Sequence, residues 1–266
     1  MRFFVIFLGC ALLLGSCDSP PATSTPETEA VVAVLPTPEG LLGESLAAHG
    51  GLDQWRKFGT LELSLNNGAG TSTDQILTDL HTRHELITGE EYAIGFDGET
   101  YWQTRVDTAQ EPKNARFYIN LQFYFFAMPF VLADPGVVVQ ELGQREIAGN
   151  PYEVVQAGFE DGVGVAPKDQ YLLYLDPETK QLAYLLYSVT YFNEEHAERY
   201  NALHYAEWQE VDGLVVPSRI DRYRWEAEAQ TLGEARGAKY YPEVKFSGEA
   251  VPASTFTPPV DAMIAE

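Results

Sequence analysis

Short strand-like segments separated by turn signals fill most of the chain after residue 59, and this pattern limits the fold more than any other feature. Asp-Gly between two such segments is typical of a hairpin with a two-residue loop, and Asp-Pro suits a four-residue turn. The signals occur at three connections: Asp97-Gly98, Asp176-Pro177-Glu178-Thr179 and Asp212-Gly213. Strands joined by tight turns pair antiparallel. The sequence therefore predicts an antiparallel sheet.

The predicted strands number about a dozen. They cover residues 60–66, 72–80, 84–88, 91–96, 99–104, 137–142, 152–159, 170–175, 181–192, 203–211, 214–225 and 239–246. Apolar residues at helical spacing in 41–58, interrupted by Gly50-Gly51, predict two short helices or one kinked helix. Many strands with helices in only two places indicate an α+β, mostly β fold: a strongly curved sheet or barrel with helices packed on one side.

Two of the predicted strands are apolar on both faces. Leu173 and Leu175 point to one face of their strand, while Leu172 and Tyr174 point to the other. The strand at 181–192 has the same property. A sheet with one solvated face would alternate apolar and polar residues. Either helices cover the second face of the sheet, or that face lines a cavity.

An aromatic segment from Phe117 to Ala133 contains seven Phe or Tyr residues and no charged residue. On a helical wheel its apolar side chains occupy two opposite sides, with Asn120 and Gln122 in the seams between them. Pro129 removes a backbone donor and should end or kink the helix. A helix of this kind is buried on both sides, or it covers something apolar that is not always present.

We therefore consider three structures for the aromatic segment. It is a central core helix, or a lid or wall with one face on the sheet and the other on a lipid-like ligand, or a segment that dips into the bilayer. For the lid or wall, the predicted ligand-binding residues are Phe117, Leu121, Phe123, Tyr124, Phe125, Phe126, Met128 and Phe130.

The N-terminal residues are typical of a lipoprotein signal. Arg2 supplies a positive charge, and the apolar run at 3–14 is about 12 residues long, whereas crossing a bilayer takes roughly 20. Leu14-Gly15-Ser16-Cys17 resembles the cleavage box of bacterial lipoproteins. We expect Cys17 to become the first residue and to carry acyl chains such as palmitate. Two or more such chains hold a protein durably at a membrane.

The chain is thus predicted to have three parts. Residues 1–16 are a signal peptide, and residues 17–39 are a lipidated N-terminus and disordered tether rich in Pro, Ser, Thr, Ala and Glu. Residues 40–266 are a single domain. The expected location is the bacterial cell envelope, with the lipid anchor in the outer membrane and the domain facing the periplasm.

Composition excludes several classes of function. The chain has 39 acidic and 17 basic residues and a formal charge of −22. Such a surface repels phosphate backbones, so nucleic-acid binding is not expected. The two cysteines are Cys10, inside the signal, and Cys17. No thiol is left for a disulfide, a nucleophile or a metal site, and no cofactor is predicted.

The histidines do not indicate a catalytic or metal site. His81 and His84 would point to opposite faces of a strand, so they would not share a metal. His196 and His204 flank glutamates at 194, 195 and 198, where a solvated loop is the simpler interpretation. We do not predict an enzyme, and a hydrolase that uses these histidines is the weakest hypothesis.

Several short motifs together resemble a known family. They are His49-Gly50-Gly51-Leu52-Asp53-Gln54-Trp55, Leu132-Ala133-Asp134-Pro135-Gly136, Tyr174-Leu175-Asp176-Pro177-Glu178-Thr179 and Val211-Asp212-Gly213-Leu214-Val215-Val216-Pro217. In this order, after a lipoprotein box and a linker, they are similar to the lipoprotein-carrier (LolA/LolB-like) superfamily. The resemblance covers roughly 41–258 and extends to secreted or lipid-anchored members of unknown function. It implies an unclosed antiparallel barrel of about eleven strands whose concave apolar face is covered by helices and receives acyl chains.

The first functional hypothesis is a lipid-anchored, non-catalytic envelope protein. Its partner would be a lipid or the acyl chain of a lipoprotein, held in an apolar cavity between the curved sheet and the helix at 117–128. Polar replacements of Phe123 and Phe126 would then abolish uptake and leave the fold intact. The alternative is a scaffold with a solid core whose acidic surface recruits another envelope protein. The oligomeric state is not predicted.

Overall fold

The computed structural model describes residues 37–68, 71–104, 114–160 and 162–265. The predicted signal at 1–16, the lipidation site Cys17 and nearly all of the tether lie outside the described residues.

Three α-helices and fourteen strands form within the described residues. The helices are α1 (Gly40–Ala48), α2 (Leu52–Trp55) and α3 (Ala115–Ala127). The strands are β1 (Thr60–Asn66), β2 (Thr73–Asp79), β3 (Glu85–Thr88), β4 (Ala93–Phe96), β5 (Tyr101–Gln103), β6 (Val137–Ile147), β7 (Asn150–Phe159), β8 (Tyr171–Leu175), β9 (Leu182–Tyr187), β10 (Asn201–Val211), β11 (Leu214–Glu226), β12 (Thr231–Tyr240), β13 (Val244–Ser247) and β14 (Met263–Ala265). In this part of the chain no helix has the length and apolar character needed to cross a membrane.

The strands form one open antiparallel sheet. Its order is β14-β5-β4-β3-β2-β1-β12-β11-β10-β9-β8-β7-β6, and β13 pairs with β1 beside this path. β1 meets β12 at a single pair, Asn66 with Tyr240, and pairs with β13 from Thr60 to Leu63. Because the path ends at β14 and β6, the sheet does not close. The predicted fold class, mostly β with a curved, unclosed sheet, is confirmed.

The main core lies between the helices and one face of the sheet. Leu173 and Leu175 belong to this core, whereas Leu172 and Tyr174 belong to a second buried cluster on the opposite face. The apolar character of both faces of β8 is therefore explained. Trp225 and a group of tyrosines from neighbouring strands pack in that second cluster. The second face is covered by aromatic side chains of the sheet itself.

The two Asp-Gly connections differ. Val211 pairs with Leu214, and Asp212-Gly213 forms the predicted two-residue loop with both φ angles positive, 52° and 80°. At Asp97-Gly98 the two-residue prediction is wrong, because Phe96 pairs with Tyr101. Asp97 Oδ1 accepts hydrogen bonds from the backbone N–H groups of Glu99 and Thr100, at 3.1 and 2.8 Å. This local hydrogen bonding stabilises a four-residue connection.

The strand prediction at 239–246 is also wrong in one respect. The segment divides into the end of β12 and the first three residues of β13, with Pro242 in the gap. Proline cannot donate to a sheet ladder, which explains the break. β12 begins at Thr231, earlier than predicted, and β14 was not predicted.

Candidate ligand-binding groove

The aromatic segment forms α3, with clear signals at both ends. The Asn114 side chain accepts a hydrogen bond from the Phe117 N–H at 2.8 Å and caps the first turn. Met128 is extended and precedes Pro129, which disfavours a helical conformation in the residue before it. The predicted helix at 117–128 therefore begins two residues earlier and ends one residue earlier.

The inner face of α3 belongs to the main core. Ile119, Phe123 and Phe126 are each no more than 7% exposed. The Phe126 ring lies edge-on to Tyr241, with ring centres 5.1 Å apart. The Tyr205 hydroxyl donates a hydrogen bond to the Phe125 carbonyl oxygen at 2.8 Å. These contacts fix the helix against the sheet.

The outer face of α3 lines a second kind of environment. Phe117, Asn120, Leu121 and Tyr124 are half-buried and form one wall of a hollow of about 200 Å³, which we call the apolar groove. The remaining wall residues come from β5, the end of β7, the start of β8 and the connections around them. They are Tyr101, Phe159, Val163, Gly164, Val165, Ala166, Asp169, Tyr171 and Tyr191.

Aromatic rings form much of the apolar groove. Tyr124, Phe159 and Tyr171 pack as a trio with ring centres 5.9 to 6.3 Å apart. Burial raises the pKa of the Tyr171 hydroxyl well above its ordinary value, so this group stays neutral. The carboxylate of Asp169 is bound to the backbone N–H and hydroxyl of Thr190, at 2.6 and 2.7 Å. The groove therefore suits an uncharged apolar segment.

A smaller hollow of about 130 Å³ adjoins the apolar groove, and we call it the polar recess. The two hollows share Tyr101, Asn120 and Tyr124. The other lining residues of the recess are Thr78, Arg83, Glu85, Phe96, Ile119, Phe123 and Asp134. One edge of α3, with Asn120 and Tyr124, therefore borders both the apolar groove and the polar recess.

The charged groups of the polar recess are arranged in two units. Arg83 Nη2 donates to both carboxylate oxygens of Asp134, at 2.8 and 2.7 Å, and its guanidinium lies 4.4 Å from the centre of the Phe123 ring. Glu85 is 1% exposed and accepts a hydrogen bond from the Thr78 hydroxyl at 3.0 Å. Burial raises the pKa of Glu85 to about 8, so its carboxyl group is mainly protonated at neutral pH.

A buried lysine lies behind the helix. Lys239 is 3% exposed and its Nζ donates to Gln122 Oε1 and, at 3.1 Å, to Asn67 Oδ1. Burial lowers the pKa of Lys239 to about 7, with a further lowering by Arg222 and an opposing contribution from Asp74. Gln122, predicted only as a seam residue, therefore joins α3 to β12 through a polar contact.

The structure divides the eight predicted ligand-binding residues among three environments. Phe117, Leu121 and Tyr124 line the apolar groove, together with the seam residue Asn120, and Phe123 lines the polar recess; Tyr124 borders both. The others line neither hollow and lie in the main core: Phe125, Phe126, Met128 and Phe130. Phe130, for example, stacks on Trp55 with ring centres 4.6 Å apart. Contact with a ligand stays a prediction for the residues of the groove and recess.

Sequence reasoning did not identify Arg83, Glu85 or Tyr171 as site residues. For Tyr171 a signal existed, because it belongs to a strand that is apolar on both faces. For Glu85 the signal was its register, since Glu85 and the buried Ile87 lie on the same face of β3. A carboxylate on the buried face of a strand is unusual and marks a site worth testing.

The histidines occupy unrelated positions. His204, in β10, stacks on Tyr184 with ring centres 4.6 Å apart, and burial lowers its pKa. His196 lies in a short 3₁₀ turn and contacts Arg199 at 3.3 Å. Within the described ranges, no group of three His, Cys, Asp or Glu side chains could hold a metal ion.

Comparison with known proteins gives a family match and several similar structures. Residues 109–214 match a family of unknown function, DUF6503. The search of curated proteins gives no match. A LolA superfamily protein from Nitrosomonas europaea is similar at 13% identity and a TM-score of 0.45, over 75% of this chain and 88% of that chain.

Two further similar structures are a DUF1329 family protein from Desulfovibrio piger and the lipoprotein LppX from Mycobacterium tuberculosis. The first is 10% identical, with a TM-score of 0.46, over 82% of this chain and 95% of that chain. LppX is 12% identical, with a TM-score of 0.24, over 56% of this chain and 87% of that chain. The structure from Nitrosomonas europaea carries the name of the superfamily that the sequence motifs resemble.

Proposed function

We propose that this chain is a lipid-anchored protein of the bacterial cell envelope that binds a lipid or the acyl chain of a lipoprotein, without catalysing a reaction. One observation carries the proposal: the outer face of α3 is apolar, half-buried and borders an open groove. An exposed apolar hollow of this kind is usually a binding site, because leaving it in water is unfavourable.

The lining of the apolar groove suits hydrocarbon. Leu121, Tyr124 and Phe159 present apolar surface, and the carboxylate of Asp169 already has two donors. Each methylene group moved from water into such a site contributes about 0.8 kcal/mol. An acyl chain can therefore be held there without any charged contact. The acidic surface, with its formal charge of −22, would disfavour binding through anionic head groups.

The size of the groove limits the ligand. Its volume of about 200 Å³ lies below the roughly 300–1,000 Å³ of most small-molecule pockets. We infer that it holds part of a single acyl chain rather than all chains of a large lipid. The buried positions of Phe125 and Phe126 fit this inference, because these two rings are not open to a ligand.

The membrane anchor is tested by changing the predicted acylated residue. In cells that make the full chain, Cys17→Ser should abolish the incorporation of labelled palmitate into the protein, because the thiol that receives the acyl chain is gone. Cys10→Ser is the matched control, since Cys10 lies in the predicted signal, and it should leave the incorporation unchanged. A Cys17→Ser protein that still incorporates palmitate would contradict the anchor.

Lipid binding is tested at Leu121. Leu121→Gln places an amide in the wall of the apolar groove and should weaken the binding of a fluorescent fatty-acid analogue about tenfold, since burying part of a leucine is worth one to a few kcal/mol. The measurement is fluorescence titration of residues 17–266 that carry Cys17→Ser and lack the predicted signal, which we call the Cys17→Ser chain. Because Leu121 is only half-buried, the unfolding midpoint should change little.

Val260→Gln is the control for this titration, because Val260 is fully exposed and outside the groove. It should bind the analogue as the parent chain does. Equal affinities for the Leu121 and Val260 variants would show that the analogue binds elsewhere. No binding by the parent chain would favour the scaffold alternative, in which the acidic surface recruits another envelope protein.

A further inference from the structure

Two residues that line the polar recess each have a buried side-chain atom without a hydrogen-bond partner. Among the described residues, none pairs with Glu85 Oε1 or with Arg83 Nη1. Buried polar atoms in folded proteins nearly always have a partner, so two unpaired atoms on residues of one hollow need an explanation.

Both unpaired atoms are donors. Thr78 donates its hydroxyl hydrogen to Glu85 Oε2, so the carboxyl proton of Glu85 belongs on Oε1. With its pKa raised by burial to about 8, Glu85 carries that proton at pH 7. Arg83 Nη1 is a donor at every accessible pH. Two donors in one hollow are complementary to an oxygen that accepts hydrogen bonds.

The charge of the recess favours a neutral acceptor. Asp134 neutralises the Arg83 guanidinium through two contacts of 2.7 and 2.8 Å. A protonated Glu85 adds no charge, and the chain as a whole carries −22. An anion would gain little from an Arg83 that is already paired, and the net charge of the chain disfavours it. The carbonyl oxygen of an ester or amide has the required lone pairs and no charge.

The polar recess adjoins the apolar groove. Between the two hollows, Asn120 Nδ2 on α3 donates a hydrogen bond to the Tyr101 hydroxyl on β5 at 3.0 Å. A hydrogen bond of this kind is worth only about 1 kcal/mol net, so a ligand can displace it at low cost. A hydrocarbon chain lying along Leu121 and Tyr124 would then place the first polar group of the ligand beside Glu85.

We propose that the polar recess binds the carbonyl oxygen of an acyl ester or acyl amide through hydrogen bonds from Glu85 and Arg83, while the attached hydrocarbon chain lies in the apolar groove. This inference rests on the proposed function and adds the chemical class of the ligand. It assigns the Glu85 carboxyl a binding role, with no bond made or broken.

Two lipids that differ by one carbonyl group test the proposal. Monododecanoylglycerol and 1-O-dodecylglycerol have the same chain and the same glycerol head, but only the first has a carbonyl oxygen. Binding of each is measured by calorimetry on the Cys17→Ser chain at pH 6.5, below the concentrations at which they form micelles. We expect the ester to bind about tenfold tighter than the ether, as two hydrogen bonds would produce.

Two substitutions at Glu85 assign the difference to the recess. Glu85→Leu removes one of the two donors and leaves Arg83, so the preference for the ester over the ether should fall from about tenfold to about threefold. Glu85→Gln keeps a donor toward the recess and an acceptor for Thr78, so the preference for the ester should remain. Leu121→Gln should weaken the binding of both lipids by the same factor, because it changes only the contact with their hydrocarbon chains. Circular dichroism of each variant verifies that it is folded.

The outcomes separate this inference from the proposed function. Equal binding of ester and ether by the parent chain would overturn the carbonyl site and leave the groove standing. No binding of either lipid, nor of the fluorescent analogue, would overturn the proposed function itself. Dodecanoate serves as a third ligand and is expected to bind more weakly than the ester. Tighter binding of dodecanoate would overturn the assignment of a neutral carbonyl ligand.

Discussion

Replacing Phe126 by alanine is expected to lower the free energy of unfolding by about 3–5 kcal/mol, the usual cost of removing a buried phenylalanine side chain. The ring is 1% exposed, packs edge-on against Tyr241 and belongs to the main core. Its loss would leave a cavity between α3 and the sheet that the surrounding strands cannot fill. Urea denaturation of the Cys17→Ser chain, followed by circular dichroism, measures the change.

Phe192 is the matched control for this substitution. Its ring is 64% exposed, so Phe192→Ala should change the free energy of unfolding by no more than about 0.5 kcal/mol. If Phe126→Ala were as mild as Phe192→Ala, the inner face of α3 would not be part of the core.

The same burial corrects one expectation from the sequence. Polar replacements of Phe123 and Phe126 together would not leave the fold intact, because these rings are 7% and 1% exposed and face the core. A helical wheel shows that two sides of the segment are apolar, but it does not show which side faces the sheet. The choice depends on the contacts of α3 with β4 and β5, and also with β11, which is distant from α3 in sequence. Leu121 is the better position for separating binding from stability.

Much of the architecture could be predicted because local signals act over a few residues. Asp212-Gly213 fixed a hairpin, and the alternation of Leu172 and Leu173 indicated two buried faces, as the structure confirms. The predicted length of the loop at Asp97 was wrong because the side-chain oxygen of Asp97 accepts hydrogen bonds from two backbone N–H groups, which stabilises a longer loop. Counting turn signals therefore predicted the class of the sheet better than the ends of its strands.

The polar recess could not be predicted because it is assembled from distant parts of the chain. Arg83 and Asp134 are 51 positions apart, and their contact requires the turn before β3 to meet the segment that follows α3. Glu85 alone gives no indication that Thr78 and a helix will bury it. The apolar groove was partly predictable, since the composition of 117–133 demanded two apolar environments. Which of them was open could be learned only from the fold.

Lys239 should make the stability of the protein rise with pH in the neutral to alkaline range. Its ammonium group is buried against α3, and burial lowers its pKa from an ordinary value of 10.5 to about 7. Between these two values the unfolded chain binds a proton that the folded chain has lost. The free energy of unfolding therefore increases with pH, by up to about 1.4 kcal/mol per unit. The stabilisation is complete above pH 10.5 and is lost as the pH falls through 7.

Lys239→Met removes this titrating group and keeps an unbranched side chain of similar length. The difference between the unfolding free energies of the parent and the variant should grow by roughly 2–3 kcal/mol between pH 7 and pH 9, in favour of the parent. Urea denaturation of both Cys17→Ser chains across this range measures it. The opposite contribution of Glu85, whose stabilisation is lost as the pH rises through about 8, is present in both chains and cancels in the difference.

Lys245→Met is the control, because Lys245 has a side chain 68% exposed and paired with Glu62 on the surface. Its curve should run parallel to that of the parent from pH 7 to pH 9. A parallel curve for Lys239→Met as well would mean that the lysine stays charged in the folded protein. In that case the contacts with Gln122 and Asn67 would stabilise the charged form of Lys239 at alkaline pH, and α3 would pack against an ammonium group rather than a neutral amine.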